Sequence, residues 1–267
     1  MEYLHYIPIA TTLISILFVI TLLHRAKGRG YPAHLVWWAF GVFFYGLGTA
    51  IESTITLHGN TLFLNRLWYW AGAILGAYPL ATGSVYLLHK RKVANILTGV
   101  SLVVVIAGTV GVLLTPLNAE LLNPVKPDGN IIAWTWIRFP VTPVINTYAA
   151  IFLIGGAIQS SFKFFETPEL RRRAYGTGLI ALGAILPGIG GTMAKVGVEG
   201  SMEAQGIVEA LYIGEFLGIT LIWWGYELCT SAPRPIEGYA GIVEPDLGGT
   251  DEGGTDQDST IQGSALE

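Results

Sequence analysis

Seven stretches of this 267-residue chain, at roughly 4–23, 33–57, 62–88, 96–116, 139–161, 174–196 and 206–228, are long, apolar and almost free of charge. A helix needs about 20 such residues to cross the hydrocarbon layer, and a backbone in lipid must satisfy its own hydrogen bonds. The pattern predicts an all-α polytopic membrane protein of seven transmembrane helices. Composition agrees, since 52% of residues are apolar and 13% charged, against about a quarter charged in soluble domains. The first stretch has no basic residue before it and no small-residue cleavage site after it, so it is expected to be a retained helix and not a signal peptide.

Orientation follows from the basic residues of the short loops. Arg25, Lys27 and Arg29 follow the first stretch, Lys90, Arg91 and Lys92 the third, and Lys163, Arg171, Arg172 and Arg173 the fifth, which places ten of the fifteen basic residues on one side. That side is expected to be the cytoplasm of a prokaryotic cell, with the N-terminus outside the cell membrane. The opposite loops contain only Lys126 and Arg138 as basic residues, and Trp134 and Trp136 stand where interfacial anchors belong.

The seven-helix domain is expected over residues 1–228 and an acidic cytoplasmic tail over 229–267, the tail holding eight acidic residues and one basic residue, Arg234. Low hydrophobicity and net negative charge predict disorder in that tail, which offers contact with a cytoplasmic protein partner. The single cysteine, Cys229, excludes an internal disulfide and a thiolate-built metal or iron–sulfur site. All five histidines lie at span ends, and neither a His-Glu-X-X-His motif nor a phosphate loop is present, so no enzyme, cofactor or metal site is expected. A basic footprint for nucleic acid is also absent.

An internal repeat is visible in the glycines. Shifting the sequence by 142 residues places Gly41, Gly46, Gly48, Gly72, Gly76 and Gly83 on Gly183, Gly188, Gly190, Gly214, Gly218 and Gly225. Close helix packing favours small residues, but packing alone does not require a common offset. A shift of 135 sets Pro8, Thr12 and Ile16 on Pro143, Thr147 and Ile151. Together these predict a first triple-helix repeat over about 4–88, a linker helix over about 96–116 and a second repeat over about 139–228. An odd number of spans separates the copies, so they run parallel.

This parallel 3+1+3 plan resembles the superfamily of SWEET transporters, PQ-loop transporters and microbial rhodopsins. The resemblance is one of topology: the Pro-Gln pair of PQ-loop proteins is replaced by Pro8-Ile9 and Pro140-Val141, and the seventh helix has no lysine to carry retinal. The run from Arg66 to Ala73, followed by Gly83 to Leu88, is similar to uncharacterised bacterial seven-helix membrane proteins. Such a plan implies a substrate site near the midplane between the copies.

Ionisable groups inside a span are functional candidates by default. Glu52 and Arg66 lie seven residues either side of Gly59, and Lys195 and Glu209 flank the last outer loop similarly, so each is expected to form an ion pair that gates the outer mouth or locks a hairpin. Glu215 lies near the middle of the last span with no basic partner at its depth. A carboxyl there suits proton coupling or cation binding. Tyr212 shares its helix face, and Asn146, Thr147, Tyr69 and Trp70 complete a candidate substrate or proton site. Pro79 and Pro187, the latter followed by Gly188 and Gly190, are candidate hinges, because proline removes a helix hydrogen bond. The leading expectation is a small-molecule or proton-coupled transporter embedded in the lipid bilayer. The alternative is a seven-helix sensor or accessory subunit acting through a protein partner.

Overall fold

A computed structural model describes residues 6–196 and 205–231, with side chains for 6–191 and 210–231. The 232–267 tail and the 197–204 loop, for which disorder and an outer position were expected, lie outside the described residues, as do the side chains of Lys195 and Glu209.

The described chain is helical throughout its long elements, and the expected seven helices are present. Helix α1 is Ile7–Lys27, α2 is Ala33–His58 and α3 is Leu62–Leu88. Helix α4 is Arg91–Leu114, α5 is Ile137–Phe165, α6 is Arg171–Val196 and α7 is Gln205–Thr230. Helices α1 to α5 and the segment Pro168–Gly191 are long and apolar enough to cross a membrane, so this is a multi-pass membrane protein.

Several ends differ from the expected spans. Arg25 and Lys27 belong to the last turn of α1, and Arg91 and Lys92 to the first turn of α4, instead of loops. Long basic side chains keep their stems along apolar surface and their charges in water, so a helix can continue past the apolar limit that its sequence marks.

Consecutive helices pack together, α7 returns to α1, and α3 also meets α5. Helix α1 shows how sequence decides its faces: Thr11, Ser15, Phe18, Leu22 and Ala26, three or four residues apart, are buried, while Leu13, Ile16, Leu17 and Ile20 are exposed. Thr11 and Ser15 donate to the carbonyls of Ile7 and Thr11 at 3.1 and 2.8 Å, so burial leaves neither hydroxyl unsatisfied.

Apolar surface gives little drive for association in lipid, so close van der Waals contact matters more. Along α6, Gly176, Gly183 and Gly190 recur every seventh residue and face α7. A Cβ at Gly183 would lie 2.6 Å from the Gly218 carbonyl oxygen, and one at Gly190 would lie 2.8 Å from the Ala210 carbonyl oxygen. These helices meet backbone to backbone. Between α2 and α3 the fit is equally close, with Gly41 and Gly83 receiving the side chains of Leu80 and Trp38 as well as backbone of Leu80 and His34.

Helices α3 and α5 are irregular. Helix α3 comprises α-helical Leu62–Trp68, a π-helical turn at Tyr69–Ile74, and α-helical Tyr78–Leu88 after a break. The break stands just before Pro79, which occupies the first turn of the second segment. Helix α5 contains π-helical turns at Ile137–Val141 and Ala150–Gly155. Pro187, by contrast, lies inside a continuous α6. Gly218 makes room for it, since a Cβ there would lie 3.0 Å from Pro187 Cγ.

The 115–136 connection is held by two asparagines. Asn65, fully buried at the start of α3, donates to the Asp128 carbonyl at 2.7 Å and accepts from the Asp128 N–H at 2.9 Å. Asn60 donates to the carbonyls of Asn123 and Lys126 at 2.9 and 3.1 Å. Trp134 and Trp136 stack with ring centroids 6.0 Å apart, both exposed at the start of α5.

Candidate functional site

The polar centre of the bundle is a carboxyl pair. Glu52 projects from α2 with 1% of its surface exposed, and it meets the Glu215 carboxyl of α7 in hydrogen-bonding contact. Trp68, the last residue of the first α3 segment, donates its indole N–H to Glu52 Oε1 at 2.7 Å. Oε2 of Glu52 and Oε2 of Glu215 are buried and receive no hydrogen bond from a donor group. Two ionised carboxylates have no proton to place between them and repel strongly in a medium of low dielectric constant. Contact between these oxygen-bearing groups is favourable when one carboxyl carries a proton and donates it to the other.

Tyr212, one turn before Glu215 on α7, lies beside both carboxyls and is in hydrogen-bonding contact with Thr56 of α2. Tyr45, two turns before Glu52, donates its hydroxyl to the Glu215 carbonyl at 2.7 Å. The seam extends toward α1 through the hydroxyls of Thr12 and Thr49, which are 2.9 Å apart. Tyr45, Glu52, Tyr212 and Glu215 therefore tie α2 to α7 across the bundle.

Glu52 does not pair with Arg66. The Arg66 guanidinium instead donates to the carbonyls of Leu113 and Thr115 at 2.9 and 2.6 Å, at the C-terminal end of α4. Carbonyls at a helix C-terminus lack intrahelical donors and carry partial negative charge, which gives Arg66 a partner without Glu52. Equal distance from a turn set the two residues at similar depth; it did not set the direction of their side chains. The expected Lys195–Glu209 pair falls outside the described side chains.

Asn146 and Thr147, expected to line the site, are exposed on the outside of α5. Ile145 and Ala149 take the inward positions. The π-helical turn at Ile137–Val141 uses an extra residue and rotates everything after it relative to an unbroken helix. Tyr69 and Trp70 face neither carboxyl through a hydrogen bond. Tyr69 shares one with Thr142 of α5 at 2.9 Å, and Trp70 donates to Thr109 of α4 at 3.3 Å. Of the expected site, the structure thus brings Tyr212 and Glu215 together and adds Glu52.

Tyr45 and Trp68 are the site residues that the sequence did not single out. Tyr45 precedes Glu52 by seven residues, a spacing that shares a helix face, and this was the available signal. Trp68 offered none, because its approach depends on the turn joining α2 and α3.

At the other end of α7, Arg25 of α1 contacts Glu227 at 2.6 Å and also hydrogen-bonds Thr230. Its guanidinium stands 5.0 Å from the Tyr226 ring centroid, and Phe18 stacks on Trp223 at 5.5 Å. These groups close the α1–α7 seam on the side rich in basic residues. Among the described residues, no group of three or more His, Cys, Asp or Glu is placed to hold a metal ion. The chain matches no protein-family model, no curated protein and no solved structure.

Proposed function

We propose that this chain is a proton-coupled transporter of a small molecule, with Glu52 and Glu215 carrying the proton between two parallel triple-helix units, α1–α3 and α5–α7. The observation that carries this reading is the buried carboxyl pair, whose members come one from each unit. A proton held there is exchangeable by a change in helix packing, because opening the α2–α7 seam lets water solvate both carboxylates. The one-proton pair is closed and the solvated pair ionised, so packing and protonation are linked.

Glycine contacts support the two-unit plan. Adding 142 to Gly41 and its neighbour Leu80 gives Gly183 and its neighbour Ile222; adding 142 to Gly83 and Trp38 gives Gly225 and Ile180, also neighbours. In this reading α4 links the units, the basic side is cytoplasmic and the membrane is that of a prokaryotic cell. The π-helical turn beside Trp68 and the break before Pro79 are where α3 adjusts.

The test is proton uptake into liposomes containing the purified protein, under an imposed pH gradient and with a dye trapped inside. Wild type is expected to take up protons faster than empty liposomes, and Glu52→Gln and Glu215→Gln to return to that baseline while remaining folded. Uptake by both variants at the wild-type rate rules out the carboxyl pair as carrier. Absence of uptake, together with stable co-purification of one cytoplasmic partner, identifies the sensor or accessory subunit instead.

A further inference from the structure

Helix α5 carries polar side chains on its outer surface without partners. Asn146, Thr147 and Gln159 are exposed, and none of them makes a side-chain hydrogen bond within the described residues. Elsewhere the exposed hydroxyls of spans are satisfied locally: Thr21 and Thr54 donate to the carbonyls of Leu17 and Ala50 at 2.9 and 2.8 Å. Beyond its first turns, which carry exposed Arg91, Lys92 and Asn95, helix α4 exposes only apolar residues, Val100, Val103, Ile106 and Val110 among them. Within the middle of the spans, the exposed polar groups that lack a partner among the described residues are thus concentrated on α5.

Their depth makes this significant. Asn146 is five residues from the middle of Ile137–Phe165, which at 1.5 Å per residue is about 7.5 Å, inside a hydrocarbon layer of about 30 Å. An amide facing lipid there forgoes both its donor and its acceptor bonds. Across a helix pair it recovers them.

We infer that the α5 face centred on Asn146 and Thr147 is an interface with a second copy of this chain, related by a two-fold axis. The occupant follows from the chemistry of the amide. Its carbonyl accepts and its NH2 donates, so Asn146 satisfies the same residue of another copy with both bonds, as a two-fold interface requires. The neighbouring surface suits close approach, since exposed Pro143 and Ala150 lie one turn either side of this position and are small. No charged residue stands between Phe139 and Phe162 to oppose like-with-like contact.

Cysteine cross-linking in native membranes, in the full chain with Cys229→Ser, tests this directly. Asn146→Cys and Ala150→Cys are expected to form a covalent homodimer on mild oxidation, and Val103→Cys on the α4 face is expected to remain monomeric. In a separate measurement without introduced cysteines, Asn146→Leu is expected to weaken dimerisation in lipid about tenfold, as judged by subunit counting across protein densities, with Asn146→Gln restoring part of it. The inference is overturned if the wild type is monomeric at every density, if Val103→Cys cross-links as efficiently as Asn146→Cys, or if the cross-linked species contains a different protein.

Discussion

Placing a methyl group at Gly183 probes one of the close helix contacts in the protein's second half. The new Cβ would stand 2.6 Å from the Gly218 carbonyl oxygen, 2.9 Å from Ile222 Cγ1 and 3.0 Å from Ile222 N. Two of those three atoms are backbone, so no rotamer change relieves the clash and α6 must move away from α7. Overpacking of this kind costs about 1–3 kcal/mol, while replacing a helical glycine by alanine returns about 1 kcal/mol of propensity. Gly183→Ala should therefore be destabilised by up to about 2 kcal/mol, or about 4–8 °C at 2–4 °C per kcal/mol. Gly178→Ala, five residues back along the same helix, would meet Ser161 Oγ at an ordinary 3.5 Å and should be neutral or stabilised. Thermal unfolding of the two purified variants in one detergent compares them. Equal midpoints would refute the backbone-to-backbone seam, because a methyl group at the seam and one in ordinary contact would then be equivalent.

Three other outcomes follow from named contacts. Asn65→Ala removes both bonds to Asp128 and the one received from Asn60 at 3.0 Å; cleavage at Lys126 by a protease specific for basic residues should become markedly faster, with the helices otherwise intact by circular dichroism. Trp68→Phe removes the donor to Glu52 Oε1 and should cost about 1–3 kcal/mol, since a buried acceptor loses its partner, measured as a lower unfolding midpoint. Arg25→Ala breaks a pair whose side chains are 29% and 36% exposed, together with the Thr230 hydrogen bond and the Tyr226 contact, so the loss should be about 1–2 kcal/mol, and the ion-pair part of it should shrink in high salt.

The helices were legible because lipid imposes a length and a polarity on each span, and among the described residues six helices meet both. Glu215 was legible for the same reason: a carboxyl in the middle of an apolar run is conspicuous whatever surrounds it. Its partner was not, because Glu52 had a nearby arginine at matching depth. The α4 carbonyls that occupy Arg66 belong to a contact no spacing along α2 and α3 encodes. Asn146 and Thr147 follow the π-helical turn that contains Pro140, and its extra residue rotates the rest of α5 by about 100° relative to an unbroken helix. The hydrogen bonds of Asn60 and Asn65 reach the 115–136 connection, a contact between distant segments that no spacing along the chain encodes. What single helices determine could be read; what depends on the rotation of one helix against another needed coordinates.

Infrared spectroscopy of the protein in lipid at neutral pH tests the account most directly, because a protonated carboxyl and a carboxylate absorb in separate regions. The wild type is expected to show one buried protonated carboxyl that exchanges slowly into heavy water. Glu52→Gln and Glu215→Gln should each abolish that band, since the introduced amide donates to the remaining carboxylate in the proton's place. A wild-type spectrum with no protonated carboxyl, or a band unchanged in both variants, contradicts a proton shared between Glu52 and Glu215.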